Sequence, residues 1–225
     1  MQTNASSPRH LDGNLRAALR HPLTRRGFLG LLAVAGLGAC VGGQSKGGLS
    51  AFRERTVESP RPAFDPATYR LVVDGLVRSP LTLTYDELLS LPSTSHTCDF
   101  RCVEGWGVDD VPWEGVQMQT IISMAQPLDE ARYVTFRSLG DTYYESLPLE
   151  QAELPIVLLA YRMYGRPLAP EHGSPLRVVF PRMFGYKGAK WLNRIEFRDE
   201  LDSGYWEQFG YPDDAWVQDE QPCST

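Results

Sequence analysis

The chain predicts an α+β domain built on a mixed sheet, and three observations carry that prediction. Apolar runs of strand length are interspersed with short helical stretches and do not repeat as strand-helix pairs. Polar loops punctuated by glycine and proline separate them, with 20 Gly and 17 Pro among 225 residues. Residues 67–225 have the length of a single domain with one substantial core, and they contain no internal repeat.

In chain order, the first strand is expected over residues 69–73, with Gly75 and Pro80 as breaks after it. Thr84 is the expected cap of a short helix through Leu89. Its hydroxyl accepts from the first free backbone donors, and Asp86 and Glu87 complement the positive end of the helix. Leu91-Pro92 ends that helix, because proline disfavours helical backbone in the residue before it. The segment around Cys102 reads as strand or extended loop. Residues 116–125 read as a helix with Val116, Ile121, Ile122 and Met124 on its apolar positions. Further strands are expected over 132–136, 155–161 (where a helix also fits), 176–180 and 191–197.

The first 39 residues read as an export leader. Thr24-Arg25-Arg26-Gly27-Phe28-Leu29-Gly30 precedes an apolar run from Leu29 to Ala39, far short of the roughly 20 residues a membrane-spanning helix needs. Paired arginines before such a run mark the twin-arginine route, which carries folded proteins and suits a cofactor inserted before export. Leu37-Gly38-Ala39-Cys40 looks like a lipoprotein processing site, making Cys40 a lipid anchor and residues 40–66 a flexible tether. The expected location is periplasmic or on the outer face of a membrane, held there through lipid alone.

Charge excludes some function classes. The whole chain has 22 Lys and Arg against 28 Asp and Glu; the leader takes five arginines and one acid, leaving 17 against 27, a net of -10. So acidic a domain is a poor ligand for nucleic acid or an anionic membrane surface.

Besides Cys40 the chain has Cys98, Cys102 and Cys223. In an oxidising compartment Cys98 has two possible disulfide partners, Cys102 or Cys223. Zinc is disfavoured, because only His96 and His172 follow the leader and neither shows paired ligand spacing.

The stretch Phe100-Arg101-Cys102-Val103-Glu104-Gly105-Trp106, with Pro112-Trp113-Glu114-Gly115 after it, resembles the molybdenum-ligand loop of the sulfite oxidase family of molybdopterin enzymes. Leu168-Ala169-Pro170-Glu171-His172-Gly173-Ser174-Pro175-Leu176-Arg177, followed by Gly185-Tyr186-Lys187-Gly188-Ala189-Lys190, resembles that family's pterin-phosphate cradle. Tyr133-Val134-Thr135-Phe136-Arg137-Ser138 is similar to a family strand whose end faces the pterin, and Gly204 to Tyr211 to the closing segment of small bacterial members. The resemblance implies a sulfite-oxidase-type molybdopterin-binding domain with Cys102 as the metal ligand, which would leave Cys98 to pair with Cys223 or with nothing. It implies cofactor contacts from Ser138, His172, Arg177, Gly188, Ala189 and Lys190. Each has a physical basis: Arg177 offers parallel donors to phosphate, Lys190 a point charge, His172 a ring nitrogen, and Gly188 and Ala189 close backbone approach. Arg101 is expected to favour the Cys102 thiolate or an anionic substrate, and Glu104 to take part in proton transfer or sit in a salt bridge.

The activity implied is two-electron oxygen-atom transfer on a small oxo substrate, as sulfite-type oxidation or sulfoxide-type reduction. The Cys-Val-Glu-Gly-Trp loop resembles the periplasmic methionine-sulfoxide reductase branch, whereas His172 and Lys190-Trp191-Leu192 resemble sulfite oxidases. No haem-binding signature is present, so a separate electron-transfer protein such as a cytochrome or membrane haem subunit is expected. The chain shows no counterpart of the sulfite oxidase dimerisation domain, so a monomer is expected. The competing reading is an exported lipoprotein domain that keeps the fold for binding or scaffolding.

Overall fold

The computed structural model describes residues 44–46, 48–218 and 223–224. The expected leader over 1–39 and the Cys40 anchor lie outside the described residues. Two mixed sheets and a few short helices make up the domain.

One sheet contains β1 (Gln44–Lys46), β4 (Ser93–Arg101), β5 (Gly107–Gln117), β8 (Leu158–Met163), β9 (Arg166–Pro167) and β10 (Arg177–Val179). The other contains β2 (Arg70–Gly75), β3 (Leu81–Thr84), β6 (Tyr133–Ser138), β7 (Tyr144–Pro148) and β11 (Leu192–Arg198), in the order β3-β2-β11-β6-β7. All pairings in this second sheet are antiparallel except β2 with β11. Alternation explains its buried face: Leu71 and Val73 on β2, Val134 and Phe136 on β6, and Ile195 and Phe197 on β11 are buried in one core. A smaller core gathers Val111 and Trp113 of β5 with Leu158, Ala160 and Met163 of β8.

The helices are short and bounded by local chemistry. In α1 (Tyr85–Ser90) the Thr84 hydroxyl accepts from Glu87 N–H, while the Glu87 carboxylate accepts from Thr84 N–H, a reciprocal capping box. The second helix, α2 (Met118–Ala125), starts two residues later than expected, because Val116 and Gln117 extend β5. A single turn, α3 (Leu149–Ala152), follows β7.

Expected strands are recovered with shifted ends, and the extended reading at 155–161 holds as β8. The strands β1, β3, β5, β7 and β9 fall outside the expected ranges, and β5 shows why. The β5 sequence carries Gly107, Asp109-Asp110, Pro112 and Gly115, all poor strand formers. It is extended because β4 pairs along its length while β1 and β8 pair elsewhere along it, with Asp110 at positive φ. Tertiary pairing overrides propensity at this strand.

From Gly48 onward the segment expected as a tether lies against the domain. Phe52 packs on Phe100 and Trp113, and buried Glu58 accepts hydrogen bonds from Thr142 N–H (3.2 Å) and Tyr143 N–H (2.8 Å).

Candidate active site

Cys102 follows the last residue of β4, in a tight turn that the sequence closes with glycine. Its N–H donates to Trp106 O (2.8 Å) and its carbonyl accepts from Gly105 N–H (3.0 Å). Cys98 is bonded to Cys223, so Cys102 is the free cysteine among the described residues. Its thiol is half-buried. Burial pushes its pKa up and a hydrogen bond from Glu104 N–H pulls it down; the Glu104 carboxylate adds a further rise that Arg55 and Arg53 oppose. A metal ion would have to displace that proton.

The Cys102 turn lines a cavity of about 260 Å³. Residues 52–57 supply a second part of the wall, His172, Arg177, Gly188 and Lys190 a third, and Tyr143, Tyr186, Trp206 and Tyr211 a fourth. Arg177 begins β10 and Lys190 lies just before β11, so two neighbouring stretches of chain deliver two cations to one site.

Those cations are desolvated. Arg177 is 5% exposed, its Nε is buried without a partner, and its Nη1 donates to the carbonyl of His172 (3.2 Å). Among the described residues no carboxylate pairs with it; instead the guanidinium sits over the Phe100 and Trp113 rings. Burial lowers its pKa to about 10. Burial also lowers Lys190 to about 7, with Arg177 adding repulsion; its Nζ donates to Glu171 O (3.2 Å) and stands 4.0 Å from Glu54. Burial first, and then Arg177, hold His172 below the usual histidine value, so its imidazole is neutral near pH 7. Buried cations that repel each other, one with an unsatisfied donor, fit an anion with several acceptor oxygens.

Two glycines make the cradle possible. Gly173 has φ of 102°, and a Cβ there would lie 2.8 Å from Lys190 Cβ, so only glycine lets the lysine stem cross it. A Cβ on Gly188 would meet Val178 O at 2.7 Å, so its absence lets this turn close on β10.

The structure gathers Cys102, Glu104, His172, Arg177, Gly188 and Lys190 around the cavity, and it does not bring the other expected residues there. Arg101 does not line the cavity; its guanidinium pairs with Asp99 (2.7 Å) and Asp109 (2.9 Å). Ser138 is fully buried at the end of β6, where its hydroxyl accepts from Gly140 N–H (3.4 Å). Ala189 is fully buried with its carbonyl engaged by Val178 N–H, and Gly188 N–H is engaged by Gly185 O. The Gly188 backbone donor is therefore already engaged within its own turn. Glu104 is in the salt-bridged form: it accepts two hydrogen bonds from Arg55 (2.7 and 2.9 Å) and one from Trp106 Nε1 (3.1 Å). The Arg55 bond, then Trp106, hold its pKa below the usual glutamate value.

Sequence reasoning missed Phe52, Arg53 and Arg55, which lay inside an assumed tether, and Tyr143 and Tyr186, whose ring positions only the fold reveals. No strand or helix covers residues 52–58, so no periodicity in the sequence marks Arg53 and Arg55.

A free thiol, a desolvated cationic cradle and a neutral histidine around one cavity define a site for a soft metal carried by an anionic cofactor. Residues 58–206 match the family described as the oxidoreductase molybdopterin binding domain, and the chain belongs to that family. It is a molybdopterin-dependent oxidoreductase.

The oxidoreductase YuiH of Bacillus subtilis (strain 168) is 39% identical over 147 residues, covering 65% of this chain and 74% of that protein. The protein-methionine-sulfoxide reductase catalytic subunit MsrP of Campylobacter jejuni is 33% identical over 162 residues, covering 65% of this chain and 54% of that subunit. Against MsrP of Ralstonia nicotianae the figures are 34%, 63% and 47%, so the chain spans about half the length of these reductase subunits. The crystal structure of the sulfane dehydrogenase SoxCD from Paracoccus pantotrophus shares the fold at a TM-score of 0.59, with 24% identity, over 65% of this chain and 42% of that one.

Proposed function

We propose that this chain catalyses two-electron oxygen-atom transfer on a small oxo substrate, in the direction of sulfoxide reduction. The observation that carries it is the meeting of Cys102 with Arg177 and Lys190 at one cavity, although 75 positions separate Cys102 from Arg177. Cys102 Sγ would hold molybdenum, and Arg177, Lys190 and His172 the pterin phosphate. The unsatisfied Arg177 Nε and the free thiol fit that group. When bound, the molybdenum-pterin centre supplies two-electron redox chemistry coupled to gain or loss of an oxygen atom.

The chain's own residues bind, orient and exclude. Arg177 would grip the anion while the Phe100 and Trp113 rings, 5.9 and 5.2 Å away, back its guanidinium. Phe52 closes the wall beside the His172 ring, 5.3 Å between centroids, limiting water there. Glu104 stays ionised and tied to Arg55, so its role is to fix the Cys102 turn and not to donate a proton.

The direction is supported by the two MsrP relatives, whose names state reduction of protein methionine sulfoxide. Sulfite oxidation is the second reading, favoured by Arg53 lining the cavity beside Cys102, where an oxyanion would find a cation. Export by the twin-arginine route, attachment through Cys40 and reduction by a separate electron-transfer protein complete the proposal.

Purified protein should contain about one molybdenum and one pterin per chain, and Cys102→Ala should lose the metal. Full molybdenum retention in that variant would remove Cys102 as ligand. Turnover assays with methionine sulfoxide and with sulfite then separate the two directions.

A further inference from the structure

A second ionic cluster lies behind the cavity. Lys187 Nζ donates to Glu145 (2.8 Å) and to Glu207, and the three side chains are 1%, 0% and 2% exposed. Two carboxylates therefore share one ammonium with almost no contact with water. Glu145 Oε2 and Glu207 Oε2 are both buried without a partner. Both carboxylates converge on Gly204, where a Cβ would lie 2.4 Å from Glu207 Oε2 and 2.6 Å from Glu145 Oε1. Two ionised carboxylates so placed would leave a net buried negative charge beside two orphaned acceptors, whereas one proton on the pair removes the net charge.

Each member of the cluster adjoins a residue that lines the cavity: Tyr143 precedes Glu145 by two, Tyr186 precedes Lys187, and Trp206 precedes Glu207. The Tyr143 hydroxyl donates to the Tyr186 backbone carbonyl, and Tyr143 both lines the cavity and lies within electrostatic reach of Glu145 and Glu207. The titratable groups facing Tyr143 are Glu145, Glu207, Tyr186 and Arg177; those facing Glu145 are Lys187 and Glu207.

We infer that Glu145 and Glu207 share one proton over Lys187 and form the proton store of the cavity, delivering it by way of the Tyr143 hydroxyl. The inference rests on the oxygen-transfer reading. Release of a substrate oxygen as water consumes two electrons and two protons. The electrons come from the separate electron-transfer protein. One proton leaves the carboxyl O–H of the pair, whose bonding electrons stay behind as a carboxylate on Lys187; Tyr143 passes a proton onward as it receives this one. The second proton comes from solvent, and a solvent proton then reloads the pair. Burial raises Glu145 to about 8, against the opposing pull of Lys187, so the store is loaded at neutral pH.

The test has a readout independent of turnover. Infrared titration of the full-length holoenzyme carrying isotope-labelled glutamate should show a protonated carboxyl at pH 7 that titrates near pH 8 and vanishes in Glu145→Gln. Glu145→Gln keeps Lys187 paired with Glu207 and so retains the fold, metal and pterin, with kcat lower by roughly 100-fold, KM little changed and the alkaline limb of the pH profile displaced. Tyr143→Phe should keep the infrared band and reproduce the kcat loss. Absence of a protonated glutamate between pH 6 and 7, or an unaltered pH profile in Glu145→Gln, would overturn the store; unchanged kcat in Tyr143→Phe would overturn the route. Missing molybdenum and pterin in the wild-type protein would instead sink the oxygen-transfer reading while the infrared band could still appear.

Discussion

Two buried ionic clusters, one lining the cavity and one behind it, have opposite imbalances. Among the described residues Arg177 and Lys190 form a cationic surplus served only by Glu54, 4.0 Å from Lys190, whereas Glu145, Lys187 and Glu207 carry one carboxylate too many. The difference teaches what each lacks. A cation surplus out of water is relieved by an anion from outside the chain, and a carboxylate surplus by a proton. Cofactor binding would satisfy the first cluster; only protonation satisfies the second.

Breaking the second cluster should have the larger effect on stability. Lys187→Met leaves two buried carboxylates with no cation, and a loss of about 3–5 kcal/mol is expected, measured by denaturant unfolding at pH 7. If the loss is below about 1 kcal/mol, the carboxylates are already neutral and the cluster is not ionic.

On the cationic side Arg177→Met keeps much of the side-chain volume and removes the charge. Pterin content should fall with a binding loss of about 1.5–3 kcal/mol, the range for hydrogen bonds to a charged group, while the apoprotein remains folded. Undiminished pterin would show that the cradle is not the anion site.

Sharper still is the pH dependence, where the two clusters run in opposite senses. Lys190 is depressed from 10.5 to about 7, so the unfolded chain binds its proton more readily and the burial penalty grows as pH falls from 10.5 through 7. Glu145 is raised from 4.5 to about 8, so its contribution is complete below 4.5 and is lost as pH rises through 8. Lys190→Met should therefore flatten the apoprotein's stability loss below pH 10, and Glu145→Gln its loss above pH 5. Thermal unfolding across pH 5–10 measures both slopes, and a shared sign would contradict the contrast.

The smallest effect belongs to an exposed pair. Arg55 and Glu104 are 58% and 42% exposed, and Arg55→Ala should leave the melting temperature unchanged. Its consequence should be confined to the Cys102 turn, as a changed thiol reactivity with a small alkylating reagent.

The legibility of this contrast in the sequence was uneven. His172, Arg177 and Lys190 sit in a motif with fixed offsets, and Cys102 in another, so the cationic side could be read directly. The opposing cluster could not. Glu145, Lys187 and Glu207 come from β7, the turn between β10 and β11, and the closing segment, and nothing in their spacing announces that they meet. Ser138 and Ala189 show the converse: both stand in the quoted motifs, and both are fully buried.

By itself the sequence determined the local events: the Thr84 cap, the short helix α1, the apolar alternation of β2 and β11, and the motif residues that identify the cofactor. Tertiary structure alone decided that β5 is a strand, that the segment from Gly48 forms a wall, that Cys98 joins Cys223, and that one cavity is flanked by opposite charge imbalances. The physical reason is range. Caps and periodicity act within a few residues, whereas desolvation and charge balance depend on which distant segments exclude water from the same volume.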